Sequence, residues 1–123
     1  MKDEGGLIPL RQRTTAFALR VVRMYSALPK GRLAETLGFQ ALRSGTSVGG
    51  QYREACRGRS DAEVVSKLES VLQELDETSY WLELLVDAGV VKTKRVASLR
   101  QEADELMAIL VTAVRKIKSR KKR

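Results

Sequence analysis

Proline sets the strongest limit on what this chain can fold into. Only Pro9 and Pro29 occur, so from Lys30 to Arg123 no residue lacks a backbone donor. A stretch of that length free of proline favours long helices, and the apolar spacing bears on which ones. A first helix is expected from Thr14 or Thr15 to about Ala27, with Phe17, Val21, Met24 and Leu28 on one face. Leu28-Pro29-Lys30-Gly31 stops it, because the residue before a proline is pushed out of helical geometry.

The second helix, over about 32–57, carries Leu33, Leu37, Ala41, Ser44, Val48, Gln51 or Tyr52, and Ala55 at helical spacing. Gly38, Gly45, Gly49 and Gly50 interrupt it, each costing about 1 kcal/mol relative to alanine. Two readings compete here. One is a loop near 44–51 between shorter helices; the other is a single helix whose small residues Ala41, Ser44, Gly45 and Gly49 let a neighbour pack closely. The unbroken helical phase favours the second.

Ser60-Asp61-Ala62-Glu63 has the pattern of a capping box, and it opens a third helix running to about Asp87. Its inner edge is Val64, Leu68, Val71, Leu75, Thr78, Leu82 and Leu85, and Ala88-Gly89 ends it. A fourth helix begins near Thr93. There Val96, Leu99, Ala103, Leu106, Leu110, Ala113 and Ile117 alternate three and four apart, the spacing of a coiled-coil seam. Short connections make antiparallel neighbours, so the expected fold is an all-α, up-down four-helix bundle in one domain spanning 1–123. Residues 1–11 are expected as a flexible lead-in and 119–123 as a fraying basic tail. Apolar residues beyond the seams (Val22, Tyr25, Val65, Leu72, Leu84, Val86, Met107, Val111 and Val114) could simply widen the core face, but their number favours a self-association surface.

Charge is segregated along the chain. Residues 1–59 hold 11 basic and 4 acidic groups, residues 60–105 hold 5 and 11, and residues 106–123 hold 7 and none, within a net charge of +8. Such a pattern suits a polyanion partner or an assembly in which opposite faces meet. The longest apolar run, Leu106 to Val111, is too short for a bilayer. The first ten residues lack a signal-peptide core, and the lone Cys56 suits a reducing compartment, so the expected location is cytoplasmic.

Catalytic chemistry finds few groups. With no histidine, the commonest general base, the usual nucleophile pairs and histidine-containing metal sites are all missing. Cys56 reads as a small packing residue. Glu69, Asp76 and Glu83 share one face of the third helix, with Glu102, Asp104 and Glu105 on the fourth, and a solvated face, or a partner for the arginine-rich segments, explains them more simply than a metal. The glycine-rich run GTSVGG lacks the GK[ST] ending of a phosphate loop. The expectation is no catalytic residue, no metal and no cofactor.

Basic residues carry the positive signal. Arg13, Arg20 and Arg23 lie along the first helix, Arg53, Arg57 and Arg59 at the end of the second, and Arg115, Lys116, Lys118 and Arg120 lead into the tail residues Lys121, Lys122 and Arg123. Such groups neutralise phosphates with salt-dependent, mostly sequence-blind affinity. Stacking partners are limited to Tyr25, Tyr52, Tyr80 and Trp81. The same segregation also permits the alternative of a protein-interaction module whose basic face docks on an acidic protein partner.

Residues 42–57, LRSGTSVGGQYREACR, and 60–89, SDAEVVSKLESVLQELDETSYWLELLVDAG, resemble the four-helix-bundle family of 23S rRNA intervening-sequence proteins. That family takes in relatives of the accessory variability proteins of diversity-generating retroelements. The likeness covers roughly 15–118, including LPKG at 28–31 and EADEL at 102–106. It implies an antiparallel bundle assembling into a homopentameric barrel, a nucleic-acid (RNA or DNA) partner and, for the retroelement branch, a reverse transcriptase with its RNA. It implies no catalytic residues. Arg43, Arg53 and Arg57 fall inside the matched run, and Arg43 joins the expected nucleic-acid contacts on that ground. One departure stands out: Gly50-Gln51 replaces the family's usual Ala-Asn, so a longer amide must make any contact of that asparagine.

Overall fold

The computed structural model describes residues 9–120, and these form four helices: α1 (Leu10–Ser26), α2 (Arg32–Cys56), α3 (Asp61–Asp87) and α4 (Thr93–Arg120). No strand occurs among the described residues. Each helix packs on the next in sequence and α4 closes on α1, with α2–α3 the most extensive contact and α1–α4 the sparsest. At about 1.5 Å per residue α1 is roughly 25 Å long and α4 roughly 42 Å, so α4 outruns α1 toward its C-terminus. The α1–α2 and α3–α4 turns share one end of the bundle, called the upper end here. The lower end holds the α2–α3 turn and the C-terminus of α4.

Helix boundaries follow local chemistry. Ser60 Oγ accepts from the Glu63 amide at 3.1 Å, the serine half of the capping box, with Asp61 and Glu63 in the positive first turn. At the other end of α3 the Val90 amide donates to the Leu85 carbonyl and the Gly89 amide to Val86, a Schellman closure that needs Gly89 at φ 77°.

The inner edges of α3 and α4 are buried at every position that their spacing predicts, from Val64 to Leu85 and from Val96 to Ile117. Val65 and Val114 also lie in the core, and Leu72, Val86 and Met107 pack against it, so these five widen the core face instead of marking the self-association surface expected of them.

α2 is one uninterrupted helix, and Ala41, Ser44, Gly45 and Gly49 are all buried in it. A Cβ on Gly45 would lie 2.8 and 2.9 Å from the two methyls of Val21, which identifies α1 as the closely packed neighbour. Val21 is itself fully buried and, being β-branched, has little freedom to turn away.

Three expectations need correction. α1 begins at Leu10, not at Thr14 or Thr15, and Leu10 is buried, so residues 10 and 11 are helical; residues 1–8 of the expected lead-in lie outside the described residues. Pro9 explains this: its fixed φ suits the residue before a helix, and the seam simply extends upstream through Thr14 to Leu10. At the start of α2 the inner residues are Ala34 and Gly38, whereas Leu33 is 54% exposed. Leu28 Cδ1 and the Tyr25 ring fold over Gly38, so a Cβ there would require Leu28 to shift. α4 continues through Arg120, so Ser119 and Arg120 are helical rather than frayed. Lys121, Lys122 and Arg123 lie outside the described residues.

Candidate nucleic-acid interface

The basic residues singled out in the sequence fall into three groups. Arg13 and Arg43 lie along the middle of the bundle and are engaged there. Arg13 Nε and Nη2 donate to Glu102 Oε2 and Oε1, each at 2.8 Å, and Nη2 also reaches Glu105 Oε1 at 2.8 Å. The Arg13 and Glu102 side chains are 18% and 17% exposed, so this fork ties α1 to α4 where the helices otherwise touch least. Its hydrogen bond to Glu102 raises the Arg13 pKa further and holds the guanidinium charged. Arg43 pairs with Glu77 at 3.2 Å and approaches Glu74 at 4.0 Å across the α2–α3 contact.

Glu74 also accepts from Gln51 Nε2 at 3.3 Å, so the glutamine at the departure position does reach across to α3. Gly50 beside it has no heavy atom within 4 Å of an added Cβ, so the alanine usual there would fit. Deeper in the same contact the Thr78 hydroxyl donates to Ser44 Oγ at 2.8 Å. The matched run at 42–57 therefore spends Arg43, Ser44, Gly45 and Gln51 on packing helices together.

A second group gathers at the lower end. Arg53, Arg57 and Arg59 close α2 and its turn, and Arg115, Lys116, Lys118 and Arg120 line the last turns of α4; all are exposed. Lys118 meets Glu69 at 3.3 Å and Arg120 meets Asp61 at 3.5 Å, both between side chains at least 43% exposed. Arg53 donates to Thr15 Oγ1 at 3.4 Å. Among the described residues no carboxylate lies within ion-pair distance of Arg53, Arg57, Arg59 or Arg115.

Arg20 and Arg23 belong to neither group. They stand at the upper end, at a cleft of about 560 Å³ between the C-terminus of α1 and the start of α4, together with Lys92, Lys94 and Arg95. Sequence reasoning missed these last three because they sit within a segment whose net charge is acidic. The signal was present: KTKR at 92–95 places cations at a helix start, where acidic residues are usual. Of the aromatic residues, Tyr52 is fully buried, and Tyr80 and Trp81 pack edge-to-face at 5.1 Å on α3. Among the described residues no three acidic or cysteine side chains are grouped to hold a metal, and no helix is long and apolar enough to cross a membrane.

A family model described as 23S rRNA-intervening sequence protein matches residues 8–112. A crystal structure at 1.70 Å from Bacteroides thetaiotaomicron, of a protein with unknown function from the S23 ribosomal protein family, is similar to this chain with a TM-score of 0.77. It is 31% identical, and the likeness covers 85% of this chain and 97% of that one. No curated protein matches the sequence.

Proposed function

The chain belongs to the 23S rRNA-intervening sequence protein family, and from that premise we propose that it is a non-enzymatic scaffold holding RNA or DNA at the lower end of its bundle. The observation that carries this reading is the set of exposed arginines there (Arg53, Arg57, Arg59 and Arg115) with no carboxylate partner among the described residues. Lys118 and Arg120 add to it, since exposed ion pairs contribute little and a phosphate can replace the carboxylate. Lys116 lies on the same turns. Arg13 and Arg43 contribute through the fold rather than by contact.

The scaffold works in the cytoplasm beside a ribosomal RNA or, in the retroelement setting, a reverse transcriptase and its RNA. It acts as a homopentamer. Leu19, Val22, Phe39 and Tyr80, each 37–53% exposed on the outer faces of α1, α2 and α3, supply apolar surface for that assembly. Repetition of one basic end around a ring raises avidity for a long polyanion without any new contact.

Electrophoretic mobility shift with structured RNA and with duplex DNA, over a salt series, tests the reading. Binding that weakens steeply with salt supports it. Affinity that is flat from low to physiological salt, or absent, overturns it.

A further inference from the structure

The upper cleft has a make-up that phosphate binding does not call for. Its floor is aliphatic: Met24, Leu28, Val90 and Val91 are half-buried there, with Val96 and Leu99 beneath them. Its rim is cationic, from Arg20 and Arg23 on one side to Lys92, Lys94 and Arg95 on the other. No carboxylate and no aromatic ring lines it. Arg20 Nη2 donates to Ser98 Oγ at 2.8 Å, which holds that part of the rim along α4.

We infer that this cleft seats an acidic segment of a partner protein, with aliphatic side chains on the floor and carboxylates against the rim. A nucleic-acid backbone would use the cations alone and leave the floor wet, while exposed bases would want aromatic faces that the cleft lacks. A segment alternating leucine or valine with glutamate or aspartate satisfies both halves at once, as an amphipathic helix does in a groove. The volume lies within the range of clefts that hold ligands, roughly 300–1,000 Å³. Methionine and arginine are residues that interfaces favour: the thioether adapts to an incoming side chain, and the guanidinium forks onto a carboxylate. The site stands at the opposite end from Arg57, Arg59 and Arg115, so a bound partner and a bound nucleic acid do not compete for one surface.

Fluorescence anisotropy tests this with a labelled synthetic peptide of glutamate, alanine and leucine, its leucines at helical spacing. A second peptide of the same composition with scattered leucines controls for charge alone. The patterned peptide is expected to bind at least about tenfold more tightly than the scattered one. The double variant Arg23→Glu, Lys94→Glu should lose about tenfold or more, and Arg57→Glu, Arg59→Glu should change affinity by less than about twofold. Far-UV circular dichroism checks that each variant keeps its helices, as exposed cations should allow. Equal binding of the two peptides, equal loss in the two variants, or displacement of the peptide by a single-stranded RNA of matched charge would overturn the assignment.

Discussion

The guanidinium of Arg13 grips the carboxylate of Glu102 with two parallel hydrogen bonds of 2.8 Å, joining α1 to α4 across the thinnest seam of the bundle. A lysine can offer only a point charge there, so Arg13→Lys is not conservative. The fork is mostly shielded from solvent, and its loss should destabilise the fold by about 1–3 kcal/mol. Urea unfolding of Arg13→Lys and Arg13→Ala checks this, and unchanged midpoints would mean that the seam holds without the fork.

Gly45 and Gly50, both in α2, separate close packing from mere tolerance. Gly45→Ala forces a methyl into the stiff, buried Val21 and should cost about 1–3 kcal/mol, more than the helix propensity it gains. Gly50→Ala meets open space on an exposed helix face and should stabilise by about 0.5–1 kcal/mol. Thermal melts should therefore rank Gly50→Ala above the parent chain and Gly45→Ala below it.

Tyr25 donates to Glu35 across the α1–α2 turn, and that hydrogen bond raises its pKa above the ordinary tyrosine value of about 10. A group whose folded pKa is raised lends stability that is full below its unfolded pKa. That stability is lost as pH rises through the folded pKa. The contribution of this contact is thus complete at neutral pH and fades only above about pH 10. Ultraviolet titration should show a tyrosine phase above that of free tyrosine, and Tyr25→Phe should remove it; a titration unchanged by Tyr25→Phe would mean that the bond to Glu35 does not shift this phenol.

The proposed pentamer would use apolar side chains that a single copy leaves exposed. Phe39→Glu or Leu19→Glu should leave helicity intact, since both residues are about half exposed, and should lower the assembled mass. Light scattering of the parent chain is expected to give five times the 13.7 kDa of one copy. A single-copy mass for the parent would remove the pentamer.

Much of this fold could be read from spacing alone. The seams of α3 and α4 were legible because every third or fourth residue is apolar, with Thr78 the one polar position. The same reading misplaced the inner face at the start of α2, where Leu33 looks like a core residue. There Leu28 and Tyr25 fold over Gly38, and Ala34 is buried in place of Leu33, a tertiary fact with no local trace. The basic site was legible in part. Arginines announce charge but not partners, so Arg13 and Arg43 looked equivalent to Arg57 until α3 and α4 brought Glu77 and Glu102 beside them. Lys92, Lys94 and Arg95 were hidden because a charge count over 60–105 averages them with the acids of α3, from which the Gly89 turn separates them.

The salt dependence of RNA binding by variants of the lower end bears most directly on the claim that exposed arginines there hold phosphates. Each of Arg53→Gln, Arg57→Gln and Arg59→Gln should weaken binding to all sequences alike and flatten the slope of log K against log salt by about one. Arg13→Lys, if folded, should leave that slope in place. Slopes that stay at the parent value in all three lower-end variants would contradict the assignment of this end as the nucleic-acid surface.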